Sequence, residues 1–277
     1  MAGICRKRKR NRMENNKIKI VFLGTGLFGE IILKGLFETG YRPILANDFK
    51  KIKILEPDLV VVASYGKIIP REILKIPQYG CLNIHGSLLP KYRGPSPIQT
   101  TILNNDKETG VTIILMDEKI DHGPIVANYK LQITNYKITY EELLKELATK
   151  GAKLLAKTLP KWINGEIKPE PQDESKATYT KIIKKDDGKI NWSKSAAEIE
   201  RQIRAFNPWP GSFTFWKKNK KIIRVKILEA EVSQPTADQP KARKSNQLII
   251  KKLQPEGKKP MAFEDFKRGY HDFNLLL

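Results

Sequence analysis

The sequence predicts an α/β protein of two parts, a larger domain built on a parallel-rich sheet and a small β-rich domain after it. Three observations lead there. Apolar runs at Ile18–Leu23 and Asp58–Ser64 have the length of buried strands, and the first runs into a helical pattern, as in a strand–helix–strand unit. Past Tyr179 the pattern changes, and Ser212–Trp216 and Ile222–Ile227, joined by a turn at Lys217–Lys221, read as a hairpin with one lysine-rich end. Between the two parts lies Asn164–Thr178, charged and carrying Pro169 and Pro171, a linker by composition. A chain of 277 residues, 40% apolar and 29% charged, suits two such domains, and no segment is long and apolar enough to span a bilayer.

Taken in order, Ile18–Leu23 is the first strand, and Gly24-Thr25-Gly26-Leu27-Phe28-Gly29 opens a helix through Phe37. These glycines match the G-x-G-x-x-G of dinucleotide-binding folds, and Asp48, 19 residues past Gly29, stands near the place of a ribose-binding acid. A glycine turn is equally required wherever a parallel strand turns tightly into a helix, so the motif alone does not imply a nucleotide. Tyr41–Ala46 reads as the second strand, with only a short connector to Asp58. Asp58–Ser64 is the next buried strand, and Tyr65-Gly66-Lys67-Ile68-Ile69-Pro70 is its exit loop. A helix over Tyr140–Trp162 closes the domain, its Leu143, Leu144, Leu147, Leu154 and Leu155 at the spacing of a core face. In the second part a helix at Ser195–Phe206 precedes the hairpin.

The run Cys81–Ile125 carries the candidate chemistry. Leu82-Asn83-Ile84 reads as the end of a buried strand, so Asn83 and His85, two apart, point to one side and can share a pocket. Asn83 can donate to an oxygen that gains negative charge, and His85 can donate a second hydrogen bond or move a proton near neutral pH. After the apolar strand Val111–Met116, the turn Asp117–Gly123 carries Asp121, placed to fold back and orient His85. Neither task needs a metal. An Asn-x-His pair alone is more often a satisfied structural pair, and its surroundings decide the matter. Ser87-Leu88-Leu89-Pro90, Tyr92-Arg93-Gly94, Pro97-Ile98, Thr109-Gly110-Val111-Thr112 and Asp121-His122-Gly123 follow in the order and spacing of the folate-dependent formyltransferase family, which the segment resembles.

The resemblance implies a Rossmann-like catalytic domain over residues 13–163 that does not use its glycine turn for NAD. It also implies formyl transfer from 10-formyltetrahydrofolate to an amine by Asn83, His85 and Asp121. Folate contacts are implied at Ser87, Leu88, Leu89 and Pro90, and at Tyr65, Gly66 and Ile68 of the exit loop, with no metal. Residues 179–277 resemble the family's tRNA-acting branch, an OB-like barrel, through Asp187-Gly188-Lys189-Ile190-Asn191-Trp192, Asn207-Pro208-Trp209-Pro210-Gly211, Gln254–Met261 and Phe266–Gly269. Two departures stand out. The family's basic substrate loop, helix and strand between Ala46 and Asp58 are reduced to a connector, and Pro235–Asn246 reads as a disordered linker where further barrel strands belong.

Charge sharpens the partner. Residues 181–277 hold 22 basic against 11 acidic groups, whereas 13–180 hold 23 against 19, within a chain total of +21. A domain so basic, interleaved with Trp192, Trp209, Phe213, Phe215 and Trp216, suits a polyanion. Initiator methionyl-tRNA is the formyl acceptor the resemblance then implies. An amino sugar-nucleotide is the alternative acceptor, needing only a few local cations, and a tRNA-binding module without catalysis is the alternative class. Cys5 and Cys81 have no CxxC spacing and fit a reducing cytoplasm. The tail 1–12 has six basic residues and no apolar stretch behind them, so it reads as disordered rather than as a secretory signal. A monomer without membrane attachment is expected.

Overall fold

A computed structural model describes residues 18–218, 221–233 and 247–270. The basic tail expected at 1–12 and the linker expected at 235–246 lie outside the described residues. The chain forms two compact units: residues up to Pro97 with Lys107–Thr134 and Glu142–Lys181, and Ile98–Asp106 with Asn135–Glu141 and the residues from Ile182 on.

The first unit is built on a six-stranded sheet. Strands β1 (Ile20–Gly24), β2 (Ile44–Leu45), β3 (Leu59–Ala63), β4 (Cys81–His85), β5 (Glu108–Leu115) and β6 (Ile125–Gln132) lie in the order β2-β1-β3-β4-β5-β6. The four on the β2 side are parallel, and β5 and β6 continue the sheet antiparallel. Every residue of β3 and β4 is buried; β3 accordingly reads as a continuous apolar run, whereas β4 is buried although it carries the polar Asn83 and His85. The edge strand β2 is shorter than the expected Tyr41–Ala46 because Pro43 has no N–H to give to a ladder. At the other edge β6, alternating between half-buried and exposed positions, escaped the sequence reading.

Helix α1 (Gly26–Glu38) follows β1 through the glycine turn, and the turn's purpose is steric. A Cβ on Gly24 would stand 2.8 Å from the Ala63 carbonyl oxygen, and Gly26 has a φ of +64°. The connector after Ala46 folds as helix α2 (Phe49–Leu55), and Asp48 is its N-cap, accepting from the Lys51 amide at 3.0 Å. Helix formation therefore accounts for both halves of the apparent dinucleotide motif. Helix α3 (Arg71–Leu74) follows the β3 exit loop, α4 spans Pro97–Leu103, and α5 spans Tyr140–Ile163, with Leu143, Leu147, Leu155 and Leu159 fully buried.

The stretch expected as a linker is hydrogen-bonded into the first unit. Ile125 pairs with Glu170 in an antiparallel bridge and Arg93 with Tyr179 in a parallel one. The Arg93 amide donates to the Thr178 carbonyl at 2.8 Å, and the Thr180 amide returns the bond to the Arg93 carbonyl at 2.7 Å. Residues 170–181 are thus a strap across the loop that follows β4.

The second unit carries helix α6 (Ala196–Phe206), an antiparallel sheet of β7 (Ser212–Lys218), β8 (Lys221–Val232), β9 (Leu248–Pro255) and β10 (Met261–Ala262), and helix α7 (Phe263–Gly269). Its order is β10-β9-β8-β7, so the described strands form an open four-stranded antiparallel sheet, the small β domain expected after the first. Ser195 starts α6 with a capping box, its hydroxyl taking the Glu198 amide while the Glu198 carboxylate takes the Ser195 amide. One face of the sheet buries Trp216, Val225, Ile227 and Leu253 against Ile199, Ile203 and Phe266, with the Trp216 and Phe266 rings edge to face at 5.4 Å.

Candidate functional site

The site is assembled on β4 and on the loop between β5 and β6. β4 is the point where the parallel part of the sheet meets the antiparallel part, with Val62 opposite Asn83 on one side and Thr112 opposite His85 on the other. Asn83 and His85 are 9% and 7% exposed, so their polar atoms act in a medium where hydrogen bonds are strong and unpaired groups costly. Asp121 reaches them from the β5–β6 loop. Its Oδ1 accepts from Asn83 Nδ2 at 3.1 Å and stands 3.6 Å from His85 Nδ1, while its Oδ2 accepts from the Gly94 amide at 2.7 Å. The three residues predicted from the sequence therefore converge, and Asn83, which was not expected to bond Asp121, is part of that contact.

The imidazole tautomer follows from its partners. His85 Nε2 lies 2.8 Å from the Tyr92 carbonyl oxygen, which can only accept, so Nε2 carries a proton and donates it. Nδ1, on the Asp121 side, is the nitrogen left to take up or release a proton. Asn83 Nδ2 has two hydrogens and gives one to Asp121, leaving the other for an incoming oxygen.

The segment Ser87-Leu88-Leu89-Pro90 is held by β5. Thr112 donates its hydroxyl hydrogen to the Ser87 carbonyl at 2.7 Å and accepts from the Leu89 amide at 3.0 Å. Ser87 is 1% exposed, and its own hydroxyl donates to the Lys91 carbonyl at 2.6 Å, tying the turn internally. Leu88 and Pro90 are half-buried. The β3 exit loop leaves the sheet beside this segment, since β3 and β4 are parallel neighbours ending at the same side. In that loop Tyr65 is half-buried and donates to the Asn47 carbonyl at 3.2 Å, Gly66 is exposed, and Ile68 is 70% exposed. An ion pair of Arg71 and Glu118 at 2.8 Å joins the residues just after this loop to the loop that bears Asp121.

The sequence reading missed the support beneath Asp121. Asp121 has a φ of +49°, a left-handed conformation that costs a non-glycine residue roughly 1 kcal/mol and persists only where its surroundings hold it. Gln172 of the strap holds it, donating from Nε2 to the Asp121 carbonyl at 2.8 Å and to the Gly123 carbonyl at 2.7 Å. Gln172 Oε1 accepts from Arg93 Nε at 3.1 Å and Nη2 at 2.8 Å. Arg93 is fully buried, and its charge is met by both oxygens of Glu174, at 2.9 and 2.6 Å. Those hydrogen bonds hold the Glu174 carboxyl below the ordinary carboxylate range and raise Arg93. Arg93 was visible only as a letter in a motif, and Gln172 and Glu174 only as linker composition.

Among the described residues no group of three or more His, Cys, Asp or Glu side chains is placed to hold a metal, and no helix is long and apolar enough to cross a membrane. An α/β sheet with an amide, an imidazole and a carboxylate converging at a strand end is an arrangement suited to acid–base and group-transfer chemistry. The comparisons give the family. The formyl transferase model matches residues 43–159, and the formyl transferase C-terminal domain model matches 182–271. The methionyl-tRNA formyltransferase of Roseiflexus sp. (strain RS-1) is 43% identical over 228 residues, 79% of this chain and 70% of that protein. That of Bacillus subtilis (strain 168) is 35% identical over 306 aligned positions, 91% of this chain and 95% of that protein. Those positions outnumber the chain's 277 residues, so the relative carries segments that this chain lacks. The chain belongs to the formyl transferase family and is a transferase enzyme. In fold it matches methionyl-tRNA formyltransferase from Clostridium thermocellum, with a TM-score of 0.61 at 21% identity over 84% of this chain and 98% of that one. It also matches HypX from Aquifex aeolicus in complex with tetrahydrofolic acid, with a TM-score of 0.70 at 17% identity over 92% of this chain, which spans about half of that protein's length (48%).

Proposed function

We propose that this enzyme transfers the formyl group of 10-formyltetrahydrofolate to the α-amine of initiator methionyl-tRNA, in the cytoplasm and as a monomer. The observation that carries the chemistry is Asp121, whose one carboxylate meets Asn83, His85 and the Gly94 amide. In this reading the neutral amine attacks the formyl carbon, and a carbon–nitrogen bond forms as the carbonyl oxygen gains charge. The second Nδ2 hydrogen of Asn83 holds that oxygen, joined by His85 Nδ1 once it has taken the proton that the amine loses. The intermediate then collapses with cleavage of the bond to folate N10, and the proton lost by the amine is delivered to N10, with His85 Nδ1 as the group able to carry it. Asp121 keeps the imidazole facing the reacting atoms. Ser87, Leu88, Leu89 and Pro90, with Tyr65, Gly66 and Ile68, form the folate-binding segments at the neighbouring strand ends.

The second unit supplies the polyanion surface. Lys184, Lys185, Lys189, Lys221, Lys258 and Lys259 are exposed, while Lys251 and Lys267 pair with Glu231 and Glu264 at 2.5 and 2.8 Å, so part of the basic excess is neutralised within the unit. A sugar-nucleotide acceptor would not need charge so spread. The test is to incubate the purified chain with 10-formyltetrahydrofolate and methionyl-tRNA, with an amino sugar-nucleotide in parallel, and to analyse the products. Formylmethionine is expected, and formylation of the sugar alone would overturn the acceptor assignment.

A further inference from the structure

We infer that Gln172, on the strap between the two sequence-matched regions, is a positioning residue for Asp121, so that the strap is a working part of the catalytic site. The inference rests on the roles proposed for Asn83, His85 and Asp121. Its geometry fixes the amide without ambiguity: Arg93 has only donors, so Gln172 must present Oε1 to it, and Nε2 must face the Asp121 and Gly123 carbonyls. One amide group thus grips the backbone on both sides of His122 and holds Asp121 at its positive φ, while the Asp121 carboxylate is aimed at Asn83 and His85. Arg93 is anchored in turn by Glu174, two residues farther along the strap, and by the Tyr179 hydroxyl at 3.1 Å. Gln172 lies 51 positions from Asp121 in sequence.

The test compares Gln172→Ala, Gln172→Glu and Asp121→Asn with the wild-type chain. Gln172→Glu keeps an acceptor for Arg93 but places its other carboxylate oxygen against the two carbonyls, so it removes the grip without removing the Arg93 partner. Both Gln172 variants are expected to lower kcat about 10–100-fold with KM for the folate changed less than threefold, the pattern of a displaced catalytic group rather than a lost binding contact. A second readout does not depend on any substrate. The chain has three histidines, so the imidazole signals of His85 can be followed by NMR and assigned with His85→Gln. In Gln172→Ala they are expected to move in the direction that Asp121→Asn moves them. A variant with a lower melting temperature but unchanged kcat and unchanged His85 signals would overturn the inference, since the strap would then be only structural. Absence of formylmethionine with the wild-type chain would overturn the acceptor reading instead, and the His85 signals would still decide the role of Gln172.

Discussion

Asp121→Asn is nearly isosteric, which makes it a sharp test of the site. The Gly94 amide needs an acceptor, so the new side chain must keep its oxygen there, at the present 2.7 Å. Its NH2 group then faces Asn83 Nδ2 and His85 Nδ1, at the places where a carboxylate oxygen now stands 3.1 and 3.6 Å away. Two donors meet at Asn83, and that amide must flip, taking its free N–H away from the reacting oxygen. The alternative orientation sets two donors against each other at Gly94. In either case a group proposed to serve the reacting atoms loses its orientation, which for one oxyanion donor commonly costs about 10²–10³-fold in rate, or ~3–4 kcal/mol in the barrier. The segment Ser87–Pro90 proposed to bind the folate is untouched, so KM for the folate should stay within about threefold. The assay is acid-quenched formation of formylmethionyl-tRNA at saturating folate, with circular dichroism to establish that the variant is folded. A folded Asp121→Asn enzyme working within threefold of the wild-type rate would refute the assigned roles.

Further outcomes follow from other parts of the molecule. Asn83→Ala removes the proposed oxyanion donor and should lower kcat about 10²–10³-fold in a chain that still melts cooperatively; single-turnover rates with a folded variant decide it. Lys258→Ala, in the exposed turn after β9, should reduce the slope of log affinity for methionyl-tRNA against log salt by about 1, and an unchanged slope by filter binding would remove that lysine from the interface. The Glu174 carboxyl is held below its ordinary 4.5 by Arg93, so its contribution to stability is complete above that value and is lost as the pH falls through the lower folded value. Glu174→Gln should therefore lose less melting temperature than wild type between neutral pH and pH 3, and parallel curves would count against the pairing. Burial pushes the Cys81 thiol up to about 12, so in a Cys5→Ser chain no thiol should react with an aromatic disulfide at pH 8 until denaturant is added.

What the sequence disclosed, and what it hid, divides along physical lines. β3 was legible because burial on both faces demands an unbroken apolar run, and α6 because Ser195 and Glu198 write a capping box into local spacing. Asn83 and His85 could be placed together because a strand has a period of two, a rule that needs no knowledge of the rest of the chain. β6 was not legible, since an edge strand half open to solvent has a weak pattern, and neither was α2, whose seven residues fall below the length that periodicity can detect. The strap was misread for a deeper reason. Prolines and charges in Asn164–Thr178 are what a solvated linker also contains, and the pairing that binds it, Gln172 and Glu174 with Arg93, spans 79 and 81 positions. A charged residue is ordinarily a surface residue, yet Arg93 is fully buried, because strap side chains, Gln172 and Glu174 together with the Tyr179 hydroxyl, take up its donors. Each of these side chains needs the others to be placed where it is, so the information lies in their coincidence and not in any local stretch. The catalytic candidates are thus the part of the site that local rules reveal, and the groups that aim Asp121 are the part that only folding brings together.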